Sequence, residues 1–300
     1  MLFDRIAAIE VHPVAIPALP FRVEGVRIEF TVKKDTDRTK NTAEVSIYNL
    51  SADTRNRFRR DDLLLLFAGY RQETGPELVF AGDLVSVAHA VVPPNVVTKL
   101  EANDGARLAR EKRIAVSYGA DASAPQVMQD ILKQYGAAVK VFGASIPASQ
   151  FRDKFLSKFR DSKYLQGFSF EGRTEDALQK LAQRLGLNVS SQNNEVKIVT
   201  EDGDDGSPQV VLLSPATGLL GSPERLAKRE EDAKEKPKEE GWKITSLLQP
   251  KVEPGGVVAV QSAAVGRETQ FKVLRLTHRG DTHGKPWETA VEVLDRTGRT

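Results

Sequence analysis

The chain contains no cysteine, which excludes disulfide frameworks, thiolate metal sites and cysteine nucleophiles together. Such a sequence suits folding in a reducing cytoplasm. An excess of either charge is also missing. Basic side chains number 43 and acidic ones 41, so a net charge of +2 supplies no field to draw in nucleic acid or an anionic membrane. Long hydrophobic runs are absent as well. The most apolar window, LLLLFAGY at 63–70, falls far short of the roughly 20 residues that cross a bilayer as a helix. The opening MLFDRIAAIEVHP carries Asp4 and Glu10, and its apolar run is too short for a signal peptide. The expectation is a soluble protein with no stable membrane insertion.

The 300 residues that remain to be read are enough for two domains, or two with a small insert. VRIEFTVK (26–33) alternates Val26, Ile28, Phe30 and Val32 with polar residues, the period of a half-buried strand. DTDRTKN supplies turn chemistry, and AEVSIYNL resumes the alternation with Ala43, Val45 and Ile47, so a hairpin is expected. Ser51 is placed to cap a short basic turn. Strand-like runs follow at LLLLFAGY, ELVFAGDLVSVAHA and NVVTKLEA, which together predict a small barrel or sandwich.

The middle of the chain changes period. SAPQVMQDILKQYG (123–136) places Val127, Met128, Ile131, Leu132 and Tyr135 on one helical stripe, with Ser123 at the cap and Gly136 as the stop. TEDALQKLAQRLG (174–186) repeats the design with Thr174 as the cap and Ala177, Leu178, Leu181 and Leu185 on one face. LNVSSQNNEVKIVT reads as a hairpin turning at Asn193 and Asn194. After residue 200, GWKITSLLQP, GGVVAV, TQFKVLRLTH and WETAVEVLD are four further strand candidates. Between them PERLAKREEDAKEKPKEEG (223–241) mixes seven acids with six bases and has no apolar stripe, the pattern of a solvated, flexible loop. The predicted class is α+β, mainly β: two β-barrel-like domains at 1–112 and 201–300, flanking a small α+β insert at 113–200.

Chemistry concentrates in LTHRGDTHGKPWETAVEV (276–293), where His278, Asp281 and His283 could ligate zinc or iron in a chain with four histidines. The competing reading is a turn. Arg279, Gly280 and Asp281 would form the tip between QFKVLRLTH and PWETAVEV, Gly280 and Gly284 supplying positive φ and Asp281 bonding its own backbone. No further ligand such as an HExxH pair accompanies the cluster, so the turn is favoured, and both histidines should tolerate alanine. Trp287, with Thr289, Val291 and Val293 on its face, reads as core. The basic cluster Arg55, Arg57, Arg59 and Arg60 could touch phosphates, but Asp53, Asp61 and Asp62 bracket it, which favours a solvated or subunit-contact face. No P-loop, GxGxxG, GxSxG or HExxH motif occurs, and no carboxylate pair carries a local signature. No catalytic, cofactor-binding or metal residue is assigned.

Taken in order, these segments resemble a known family. VRIEFTVKKD with NTAEVSIYNLS resembles the opening of the baseplate hub proteins of contractile-tailed bacteriophages, the Mu-like tail-hub or late-control family. FSFEGRTEDALQKLAQRLGLNVSSQNNEVKIV is similar to the family's central helix–hairpin segment. GLLGSPE, GWKITSLLQPKVEPGGVVAVQS and FKVLRLTHRGDTHGKPWETAVEV resemble its last third. The charged stretch 223–241 is longer than the family's usual gap. The resemblance implies a non-enzymatic structural protein, a homotrimer in which each chain carries two tube-like barrel domains. Six similar units would then meet a six-fold tail tube while the true three-fold symmetry matches a trimeric spike. Implied partners are the tail tube or a tube-initiator protein, the spike and other baseplate proteins, with no cofactor and no specific nucleic acid. The implied location is the virion tail baseplate, assembled in the host cytoplasm. Two other classes remain open: a peptidoglycan or metal-dependent hydrolase built on 278–283, and a nucleic-acid binder using Arg55–Arg60.

Overall fold

The computed structural model describes residues 4–14, 18–36, 41–72, 75–105, 112–135, 138–141, 144–146, 162–164, 166–185, 187–193, 195–200, 210–226 and 241–295. The N-terminal part runs β1 (Arg5–His12), β2 (Phe21–Glu24), β3 (Ile28–Asp35), β4 (Thr42–Tyr48), α1 (Ala52–Arg55), β5 (Leu63–Tyr70), β6 (Gly75–Val92) and β7 (Asn95–Asn103). Next come β8 (Arg113–Tyr118), β9 (Ala122–Ser123), α2 (Ala124–Tyr135), β10 (Ala138–Val141), β11 (Ala144–Ile146), β12 (Lys163–Tyr164), β13 (Phe168–Arg173), α3 (Thr174–Arg184), β14 (Leu187–Gln192) and β15 (Glu195–Thr200). The chain closes with β16 (Val211–Leu213), β17 (Leu219–Arg225), β18 (Gly241–Leu247), β19 (Val257–Ser262), β20 (Gly266–Asp281) and β21 (Trp287–Asp295). The class is α+β, mainly β. No helix among the described residues is long and apolar enough to cross a membrane.

The chain divides into two units, one made of residues 1–103 with 209–300 and the other of residues 104–208. In the first, thirteen of the described strands form one sheet, ordered β17-β18-β21-β20-β3-β4-β7-β6-β5-β1-β2, with β16 and β19 attached beside β20. The expected hairpin of β3 and β4 pairs Phe30 with Val45 and Val32 with Ala43, and Ile28, Phe30, Val32, Ala43, Val45 and Ile47 are all buried. Alternation puts every second residue on one face, so this apolar set shares a single core.

Strand β20 joins the two ends of the chain. Its first stretch pairs with β19, as in Val257↔Lys272, and its last stretch pairs with β3 from Arg275↔Asp35 to Asp281↔Glu29. A register shift between Val273 and Arg275 marks the handover in its pairing with β21. Bulges of this kind bend a strand and strengthen its twist, so β20 serves two neighbours in succession. Two hydrophobic clusters lie in this unit. One gathers Ile9, Phe30, Leu66, Phe80 and Leu100 with Leu248 and Trp287, and the other gathers Ile244, Val260, Phe271, Val273 and Val293.

The second unit has its own core. Val127, Met128, Ile131 and Leu132 of α2 face Ala177, Leu178, Leu181 and Ala182 of α3, as the helical stripes predict. Thr174 does not cap α3. The cap position belongs to Arg173, and buried Thr174 donates its hydroxyl to the Lys112 carbonyl at 3.2 Å. Strands β14 and β15 form the expected hairpin, with Gln192 opposite Glu195 and Asn193 at φ 55°. Asn favours that left-handed region because its short polar side chain bonds locally.

Of the charged stretch expected at 223–241, residues 227–240 lie outside the described residues. Pro223–Arg225 are strand rather than loop: Glu224 pairs with Lys243, and Arg225 pairs with Trp242 while its guanidinium lies 5.2 Å from the Trp242 ring.

Candidate functional site

The stretch from Leu276 to Val293 is more regular than expected. Strand β20 continues through His278, Arg279, Gly280 and Asp281, with His278 opposite Thr289 and Gly280 opposite Trp287. The turn therefore occupies residues 282–286, three or more positions later than the sequence reading placed it. Gly280 and Gly284 are not among the positive-φ glycines, so neither meets the conformational demand expected of it. A Cβ on Gly280 would collide with the rings of Phe30 and Trp287, and one on Gly284 would collide with the Asp281 carboxylate. Close approach selects these glycines.

The three candidate metal ligands do not converge. Residues an odd number apart on an unbroken strand project from opposite faces, so His278 and Asp281 point away from each other. His278 is fully buried, its Nδ1 2.8 Å from Thr289 Oγ1, and its Nε2 has no hydrogen-bond partner among the described residues. His283 is exposed, with Nδ1 3.0 Å from Thr282 Oγ1. Among the described residues no group of three His, Cys, Asp or Glu is placed to hold a metal ion.

Electrostatics assign His278 a structural role. Burial pushes its pKa down to about 3, and the nearby Lys34 ammonium adds to this against the opposing pull of Glu253. A neutral imidazole in the seam between β3 and β21 is what such an environment dictates. Lys34, itself buried, reaches Glu253 at 4.0 Å.

Asp281 is tied to the opposite end of the chain. Its Oδ2 accepts from Arg27 Nη2 at 2.9 Å, and its Oδ1 accepts from Arg27 Nε at 3.3 Å and from the His283 backbone N–H at 2.9 Å. Burial alone would raise the carboxyl pKa. The His283 and Gly284 N–H groups and the Arg27 guanidinium outweigh it and hold the pKa below the usual value. Thr282 completes the lacing: its N–H donates to the Ile28 carbonyl at 3.1 Å, and its Oγ1 accepts from the Ile28 N–H at 3.0 Å. Trp287 is core, as expected. Its ring meets Phe30 and Tyr70 edge-on at centroid distances of 5.7 and 6.4 Å, beneath the Arg5 guanidinium at 5.6 Å.

The arginine cluster is partly built into the fold. Arg57 lies 4.0 Å over the Phe21 ring and donates to the Leu19 carbonyl at 3.3 Å, while Phe58 packs edge-on against Phe21 at 5.1 Å. Asp62 does more than offset local charge. It is buried and accepts backbone N–H groups of Val14 and Arg59, both at 3.2 Å, and burial raises its pKa. Arg59 and Arg60 are exposed.

No protein-family model matches the sequence, and no curated protein matches it. Solved structures do. The tail protein of prophage MuSo2 from Shewanella oneidensis superposes with a TM-score of 0.62 at 10% identity, covering 97% of this chain and 98% of that one. The tail protein from Neisseria meningitidis gives 0.62 at 11% identity, with 98% and 97% covered. The chain has the fold of these tail proteins. The E. coli c3393 protein, a component of the type VI secretion system with structural similarity to the T4 tail proteins gp27 and gp5, gives 0.61 at 10% identity. It is matched over 97% of this chain and 77% of its own. The fold spans both β-rich ends and the insert, in agreement with the resemblance read from the ordered motifs.

Sequence reasoning missed the clasp between Arg27 and Asp281. Its only signal was an acid and a base at opposite ends of a chain rich in both. The burial of His278 was also missed, although Leu276, His278 and Gly280 alternate with Thr277 and Arg279.

Proposed function

We propose that the chain is the structural baseplate hub of a contractile phage tail or a related injection machine. Three copies form a ring that adapts a six-fold tail tube to a three-fold spike. The observation that carries this reading is end-to-end agreement with a prophage tail protein, 97% of one chain on 98% of the other, with no large segment of either left over. In this reading residues 1–112 and 201–300 are two tube domains, built on the two hydrophobic clusters of the large unit. Residues 113–200 are the insert. Two similar units per chain, repeated three times, supply a quasi-six-fold face, while the chain count keeps the three-fold axis.

The partners are the tube or tube-initiator protein on one side and the trimeric spike on the other, within the virion tail baseplate. Other baseplate proteins surround the hub, which assembles in the host cytoplasm. Its work is mechanical and needs no catalytic group. The test is native mass spectrometry of the purified chain, alone and with its spike protein, followed by copy counting in isolated tails. Three copies per tail are expected. A chain that stays monomeric with the spike protein present, or that is missing from purified tails, would overturn the proposal.

A further inference from the structure

We infer that one internal water is bound among His278 Nε2, Lys34 and Glu253, in the seam where β3, β20 and β21 meet. The inference goes beyond the hub reading and does not depend on it.

The strand register gathers polar side chains at this seam. His278 lies between Val32 of β3 and Thr289 of β21. Lys34, two positions beyond Val32, projects from the same face, and Ser246 of β18 lies opposite Thr289. Lys34, Ser246, His278 and Thr289 are all buried. Glu253 arrives from the connection between β18 and β19, which is pinned along its length. Leu248 N–H donates to the Trp287 carbonyl at 3.2 Å, Lys251 pairs with Glu77 at 3.4 Å, and Gly255 N–H donates to the Val273 carbonyl at 2.9 Å. A fixed backbone therefore delivers the Glu253 carboxylate to Lys34. Both charges act on the imidazole, Lys34 against its protonation and Glu253 in favour of it.

The Thr289 hydroxyl sets the imidazole tautomer. Its Oγ1 accepts the Gln249 N–H at 2.8 Å and lies 2.8 Å from His278 Nδ1. The hydroxyl proton then goes to Nδ1, and the ring proton stays on Nε2. That N–H is buried with no hydrogen-bond partner among the described residues. Protein interiors rarely leave a donor so, and an ordered water is their usual remedy.

The neighbours select the guest. The Lys34 ammonium only donates, so it cannot take the Nε2 proton. Glu253 Oε1 can accept, but it stands 4.0 Å from Lys34 Nζ, beyond hydrogen-bond length. Two bonds of about 2.8 Å meeting at roughly a right angle span about 4 Å, so one oxygen atom can bridge the gap. That oxygen accepts from Nε2–H and from the ammonium, and it donates to the carboxylate. Water does both. An anion cannot donate, and its charge would be unbalanced, because Lys34 and Glu253 offset each other and the imidazole is neutral.

Crystals of the full chain, one set grown in chloride and another soaked in bromide, read the site directly. A single oxygen-sized peak about 2.8–3.2 Å from Nε2 is expected, with no anomalous bromide signal there. Nitrogen-15 histidine spectra of the same chain, in which only four rings contribute, should show His278 protonated on Nε2 alone. A bromide peak at the site would make the guest an anion and overturn the inference. So would a Glu253 oxygen bonded directly to Nε2, a map with no peak within reach of Nε2, or a ring protonated on Nδ1.

Discussion

Arg27 and Asp281 lie 254 positions apart and meet through two hydrogen bonds, at 2.9 and 3.3 Å, where β3 begins and β20 ends. Arg27 also lies over the Tyr48 ring at 4.6 Å and bonds Glu29. The pair fastens the first and last parts of the chain beside their shared strand pairing. Asp281 additionally accepts the His283 N–H, so removing its carboxylate frees a turn as well as a cation.

Asp281→Ala is therefore expected to destabilise the chain by about 1–3 kcal/mol at neutral pH. Arg27→Ala should cost less, because its side chain is part-exposed and the turn keeps its acceptor. The carboxyl pKa is depressed in the fold, so its contribution is complete above the unfolded value of about 4 and fades as pH falls through the folded one. Urea titrations of both single variants and the double variant, at neutral and acid pH, measure this. Equal losses for the two single variants would contradict the assignment.

His278 gives a profile of the same sign from a different cause and at higher pH. Its pKa falls from 6.5 to about 3 in the fold, so the unfolded chain takes up a proton through a range in which the folded chain does not. Stability is unaffected above pH 6.5 and declines as pH drops from there toward 3. At pH 5 the loss is on the order of 2 kcal/mol, from about 1.4 kcal/mol per pH unit. His278→Gln should flatten this stretch of the curve. His278→Ala removes a fully buried ring from a packed seam and should cost roughly 2–4 kcal/mol at neutral pH and less as pH falls. His283→Ala should be nearly silent. A pH profile unchanged by His278→Gln would show that another group governs acid stability.

Gly280→Ala should also destabilise, by about 1–3 kcal/mol, because its Cβ would enter the space of Phe30 and Trp287. Thermal melts of Gly280→Ala with and without Phe30→Leu test the cause, since a smaller neighbour should relieve the clash. This glycine shows where the sequence stops being legible. Hairpin β3–β4 and helices α2 and α3 could be read because their burial follows a local period of two or of about 3.6. The same holds for β18 and β21, and for β20 on either side of its register shift. Strand β1 could not, because Ala7, Ala8 and Ile9 are all buried and no alternation survives. Gly280 signalled a turn by residue type, whereas its reason is a contact with Phe30, which lies in another strand and far away in sequence. Thr174 has a capping residue's chemistry and spends it on the Lys112 carbonyl. The spacing of the candidate metal ligands was equally local information. Three ligand-type residues lay close in sequence, and strand geometry then sent two of them to opposite faces.

The separate cores predict that damage stays local. Leu181 is fully buried in a cluster drawn only from residues 114–198, whereas Phe271 is fully buried in a cluster drawn from residues 213–293. Leu181→Ala should cost about 2–5 kcal/mol, the usual range for a large-to-small change in a core. That loss should fall on α2, α3 and the strands packed with them. Phe271→Ala should weaken the large sheet, where β20 holds β19, β21 and β3 together. Hydrogen exchange resolves the two outcomes segment by segment, because amides report the free energy of their own opening unit. In Leu181→Ala, protection should fall across 114–135 and 168–185 while the amides of β3 and β20 exchange as slowly as before. In Phe271→Ala the pattern should reverse. Uniform loss of protection in either variant would mean that the two units open as one, and that the insert is part of the sheet's cooperative structure.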